Sequence, residues 1–137
     1  MKFKTFGPLM VFCRLRGPNG AVREVPAIIA PSFHYCTILK NDAARIGYPS
    51  VTSRPEELRT TNPGEVLEII TSKGIEVGTL VKVSEITVGP LKAENVEAMV
   101  MKAEFPQMIP VAAFLGRSFL KNFKLEVDPK SGTFSLT

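Results

Sequence analysis

The chain has 137 residues, 45% hydrophobic and 22% charged, with a formal net charge of +4 and no tryptophan. That composition is expected of one soluble globular domain spanning residues 1–137, large enough to bury a core without disulfides or metals. The longest apolar runs are four or five residues, as in Leu9-Met10-Val11-Phe12-Cys13, so neither a membrane span nor a secretory leader is expected.

Two cysteines, Cys13 and Cys36, are too few for a disulfide framework and fit no paired-ligand spacing, which points to buried thiols in a reducing, cytoplasmic compartment. Residues 1–54 hold eight Lys and Arg against two acids, whereas residues 55–137 hold nine against eleven. The basic N-terminal half suits an acidic partner. Lys2, Lys4, Arg14, Arg16 and Arg23 are nevertheless spread along strand-like segments with no aromatic platform between them, so nucleic-acid binding is not expected.

Eleven prolines and ten glycines cut the chain into short segments rich in Val, Ile, Phe and Thr, the composition of strands. Leu9–Leu15 and Val22–Ile29 flank Gly17-Pro18-Asn19-Gly20 and are predicted to form a hairpin, with Pro26 at an edge or bulge. A short helix is predicted over Asn41–Ile46, stopped by Gly47, and a polar, Pro-rich loop over Tyr48–Pro63. Val66–Thr71 and Ile75–Val83 form a second predicted hairpin around Ser72-Lys73-Gly74, and Ser84–Val88 is expected to meet Val96–Met101 across Gly89-Pro90. Phe114-Leu115-Gly116 leads into a predicted helical turn over Arg117–Leu120. Phe123, Leu125 and Val127 then alternate with Lys124, Glu126 and Asp128 as a half-buried strand, and Phe134 and Leu136 alternate in the last one. The expectation is a mainly β, closed or nearly closed barrel with one or two short helices, in which Val25–Ile29 and Phe114-Leu115 pack at the centre.

This order of elements resembles the retropepsin-like aspartic proteases, the single-lobe relatives of retroviral proteases. Two anchors carry the resemblance: Ala27-Ile28-Ile29 through Asn41-Asp42-Ala43-Ala44-Arg45-Ile46-Gly47, and Phe114-Leu115-Gly116-Arg117-Ser118-Phe119-Leu120 with the strands after it. In that family the first anchor holds Asp-Thr-Gly or Asp-Ser-Gly; here Ala30-Pro31-Ser32 occupies those places. The resemblance further implies a flap tip at Thr71-Ser72-Lys73-Gly74, a second signature at Leu115-Gly116-Arg117, no cofactor, and a homodimer whose cleft binds a peptide or protein partner. It also implies interleaved termini, with Leu136 and the first residues at the dimer interface.

Aspartic proteolysis needs two carboxylates sharing a proton across a water. The only aspartates are Asp42, which reads as an early-helix acid, and Asp128, which reads as a turn former; neither precedes Thr-Gly or Ser-Gly. His34 falls where relatives carry an Asp that pairs with the Arg matched by Arg117, so that ion pair is not expected. His34 and Cys36 would share one face of a strand, but nothing nearby would stabilise a thiolate or an oxyanion. Cys13, His34 and Cys36 lack a fourth ligand and a metal-site spacing. No glycine stretch has the order that phosphate binding needs. The leading reading is a retropepsin-like protein without the catalytic Asp, a non-catalytic homodimer. The alternative is a genuine endopeptidase carrying an Asp→Ala substitution at position 30, against which Pro31-Ser32 argues.

Overall fold

The computed structural model describes residues 2–4, 9–48, 65–71, 74–101 and 111–137. In chain order these form β1 (Lys2–Lys4), β2 (Met10–Arg16), β3 (Val22–Ile29), β4 (Cys36–Leu39), α1 (Lys40–Arg45), β5 (Glu65–Thr71), β6 (Gly74–Val88), β7 (Leu91–Met101), β8 (Ala113–Leu115), α2 (Arg117–Leu120), β9 (Leu125–Asp128) and β10 (Thr133–Leu136). Strands β2-β3-β8-β4-β7-β6 are paired in that order and β6 pairs back onto β2, closing a six-stranded barrel. The 15-residue β6 makes closure possible because one of its edges serves two partners: Gly74–Leu80 pairs with β5 and Glu85–Thr87 with β2. No helix among the described residues is long and apolar enough to cross a membrane.

The first hairpin forms as the sequence predicts. Gly20 N–H donates to the Gly17 carbonyl (3.1 Å) and the Asn19 side chain accepts from Ala21 N–H (2.9 Å), a turn that exploits the local bonding of Asn. Gly17 leaves no room for any side chain, since a Cβ there would lie 1.7 Å from the Ile46 carbonyl oxygen at the end of α1. Pro26 stands opposite Phe12, and its carbonyl accepts from Ala112 N–H (2.9 Å) just before the parallel β3–β8 ladder starts at Ala27. Its missing donor therefore falls at a ladder end, where it is tolerated. The helix stops at Gly47, whose φ is +104°.

Several expectations are corrected. Ser84–Val88 does not meet Val96–Met101. The two-residue Gly89-Pro90 connection forces Val88 opposite Leu91, so Thr87, Ile86 and Glu85 face Lys92, Ala93 and Glu94, and Val96–Met101 pairs further down β6 with Val83–Gly78. The inward phase switches on both strands near Asn95, the only non-glycine among the described residues with positive φ (53°), because Asn tolerates the left-handed region better than other side chains. Gly74 is the first residue of β6, opposite Thr71, and not part of the turn. Of the predicted loop Tyr48–Pro63, residues 49–63 lie outside the described residues; Tyr48 itself is buried and its hydroxyl donates to the Lys82 carbonyl. On β9, Leu125 is half-buried but Val127 is 50% exposed, because β9 is an edge of the small sheet β1-β10-β9.

The two termini pair with each other within the one chain. Lys2–Lys4 pairs with Thr133–Ser135 of the same chain, and Leu136 is fully buried in its own core with Phe134, Leu15, Ile86 and Phe119. The side chain of Leu136 is therefore not available to a dimer interface. Phe114-Leu115 and Ile28-Ile29 divide between two faces: Ile29 and Leu115 point into the barrel core, whereas Ile28, also buried, and Phe114, half-buried, lie on the opposite face.

Both cysteines are free, buried thiols inside the barrel. Burial, with the Cys36 and Glu24 charges adding to it, pushes the Cys13 thiol from 9.0 up to about 12, and burial also raises Cys36. The folded state holds these protons more tightly than the unfolded chain. The contribution of Cys13 to stability is thus full below about pH 9 and is lost as pH climbs toward about 12. Between those limits stability is expected to fall by about 1.4 kcal/mol per pH unit for Cys13 alone. Urea titrations at stepped alkaline pH check this, and Cys13→Ala should flatten the slope; an equally steep fall in that variant would contradict it.

Candidate functional site

The site is built where β3 ends against β8. Ala27, Ile28 and Ile29 run parallel to Ala113, Phe114 and Leu115, and Ala30 N–H extends this ladder by donating to the Leu115 carbonyl (2.9 Å). The chain then turns at once. Phe33 N–H donates to the Ala30 carbonyl (3.0 Å), closing a four-residue turn with Pro31 second, the position its ring geometry favours. Ser32 has no positive φ, so nothing in this turn requires the glycine that the family pattern places there. Pro31, Ser32, Phe33 and His34 are exposed and Ala30 is half-buried.

The second signature supports this loop from below. Arg117 N–H donates to the Phe33 carbonyl (2.8 Å) and Ser118 N–H to the His34 carbonyl (3.0 Å). Gly116 permits the contact, since a Cβ there would lie 2.3 Å from the Tyr35 carbonyl oxygen and 2.7 Å from that of Phe33. Ser118 locks the floor: its hydroxyl accepts from Cys36 N–H (3.0 Å) and donates to the Glu97 carbonyl (2.6 Å), tying α2 to β4 and β7. Ala30-Pro31-Ser32 and Leu115-Gly116-Arg117 are thus neighbours in the fold. Thr71 and Gly74 pair with each other at the end of the β5–β6 hairpin, and Ser72 and Lys73 lie outside the described residues.

No carboxylate belongs to the loop. Asp42 is buried on α1 and ion-paired with Arg23 of β3 (2.8 Å), so it does more than the early-helix role read from the sequence. Asp128 accepts from Lys130 and Ser131 N–H (3.1 and 3.4 Å), the turn role expected of it. His34 and Cys36 do not share a face: strand geometry begins only at Cys36, which is buried, while His34 sits exposed in a bend with its ring edge-on to Tyr35. Among the described residues no group of three His, Cys, Asp or Glu could hold a metal ion.

The sequence reading missed the surface beside the loop. Met10, Ile28, Phe114, Thr37, Met99 and Leu80 stand opposite one another in a single register row across six strands, on the face turned away from the barrel core, where Ile28 and Met99 are buried, Phe114, Thr37 and Leu80 half-buried and Met10 exposed. The ring of Phe33 packs onto Phe114, the third member of this row, with centroids 5.2 Å apart. A signal was present in the sequence, since adjacent apolar pairs such as Ile28-Ile29 and Phe114-Leu115 put apolar groups on both faces of a strand.

No family model and no curated protein matches the chain. Among solved structures it is similar to the crystal structure of a retropepsin-like aspartic protease from Rickettsia conorii, with a TM-score of 0.68 and 14% sequence identity over 98% of this chain and 95% of that one. The closed barrel, its two short helices and this likeness together establish that the chain has the retropepsin-like aspartic-protease fold.

Proposed function

We propose that this chain is a non-catalytic protein on a retropepsin-like scaffold, a homodimer that holds an extended peptide or partner-protein segment against the apolar row beside Ala30-Pro31-Ser32. The observation that carries this reading is the loop itself. A methyl group, a ring and a hydroxymethyl stand where proteolysis of this type needs a carboxylate, and the turn they form is completed by its own hydrogen bonds. The relative from Rickettsia conorii is titled an aspartic protease; that chemistry requires a carboxylate to polarise water and a second to protonate the scissile carbonyl. Ala30 can do neither. Because β1 already pairs with β10 within one chain, the dimer is proposed through the loop side of the barrel and not through the termini.

The protein is expected to show no pepstatin-sensitive cleavage of a mixed peptide library at acidic or neutral pH. Converting Ala30-Pro31-Ser32 to Asp-Thr-Gly tests whether the scaffold is intact: cleavage by the converted form alone supports a lost active site on a surviving cleft. Pepstatin-sensitive cleavage by the unaltered protein overturns the reading. A solution mass measurement at micromolar concentration checks the dimer, and a monomer would remove that part of the proposal.

A further inference from the structure

The loop beside the apolar row carries positive charge that no described carboxylate answers. Arg117 and Lys121 are exposed, and among the described residues neither is ion-paired. The recorded pairs lie elsewhere, at Arg14–Glu24, Arg23–Asp42, Lys92 with Glu85 and Glu94, and Lys124–Glu126. Arg117 and Lys121 are four apart, with Lys121 N–H bonded to the Arg117 carbonyl (2.9 Å), so they follow one side of α2 and its end. The bond from Arg117 N–H to the Phe33 carbonyl makes the two residues neighbours through their backbones, and both are exposed, Phe33 at 41%.

We propose that the segment bound here is acidic and apolar together: an extended stretch of a partner protein that sets a carboxylate on Arg117 and an apolar side chain against Phe33 and Phe114. This rests on the binding reading above and names the chemistry of the ligand. A guanidinium presents a planar fork that matches a carboxylate with two parallel hydrogen bonds, and Lys121 adds positive field around it. The aromatic pair takes the neighbouring apolar side chain, which fixes the position of the carboxylate along the strand.

The test uses the full chain and two rhodamine-labelled hexapeptide pools, both alternating Phe or Leu with a charged residue, Glu in one and Lys in the other. Fluorescence anisotropy should show the Glu pool binding roughly tenfold more tightly, a margin that shrinks in about 0.5 M salt. Arg117→Gln should remove most of that margin and leave the Lys pool unchanged, and Arg117→Lys should retain part of it. Thermal melts of both variants confirm that they fold, as expected because Arg117 bonds to the loop through its backbone. Equal binding of the two pools overturns the acid preference while leaving the peptide-binding reading in place. A Glu preference that survives Arg117→Gln overturns the assignment to Arg117. Failure of both pools to bind removes the peptide-binding reading itself, and this inference with it.

Discussion

Gly116→Ala is expected to lower stability by about 3 kcal/mol and to open the loop around Ala30. The added methyl would stand 2.3 Å from the Tyr35 carbonyl oxygen and 2.7 Å from the Phe33 carbonyl oxygen. Both obstacles are backbone, so no side-chain rotation relieves the overlap and the Phe33–Tyr35 segment must move. Overpacking of this kind typically costs about 1–3 kcal/mol. The movement also pulls the Phe33 and His34 carbonyls away from Arg117 and Ser118 N–H, now 2.8 and 3.0 Å away, at about 1 kcal/mol for each bond. Urea unfolding should show a lower midpoint with an unchanged slope, and peptide binding should weaken together with stability. A variant as stable as the parent would show that the loop does not rest on Gly116 as described.

Phe119→Ala is expected to cost about 3–5 kcal/mol, the range for deleting a buried aromatic ring. Phe119 is among the largest fully buried side chains and packs against Phe123 at 4.9 Å between centroids. Its place in α2 gives the loss a particular consequence. The helix has only four residues and no side-chain cap, so its position depends on this ring in the core and on Ser118 bonded to β4 and β7. Losing the ring should loosen the first turn of α2, and with it the two hydrogen bonds that hold the Ala30 loop. Hydrogen exchange at Arg117 and Ser118 amides is expected to speed up more than exchange in the β6–β7 hairpin. Uniform acceleration throughout the chain would instead indicate global destabilisation with no special link to the loop.

What the sequence determined by itself was local. Turn residues with specific backbone demands placed the first hairpin at Gly17-Pro18-Asn19-Gly20 and the turn, though not the register, at Gly89-Pro90, and helix formers ahead of Gly47 placed α1, because each signal acts within a few residues of chain. The absence of a carboxylate in Ala30-Pro31-Ser32 was equally legible, since it is a matter of composition. Tertiary structure decided what depends on contacts between distant segments. Period-two alternation says that Phe134 and Leu136 share a face but not which body covers it, and here the chain's own core does so. The apolar pairs Ile28-Ile29 and Phe114-Leu115 read as buried runs. Only the pairing of β3 with β8, between residues more than 80 positions apart, turns one member of each pair inward and assembles the others into a row on the opposite face. Asp42 shows the same limit: its position near a helix start is local, but its partner Arg23 comes from β3, and no spacing rule within α1 could have named it.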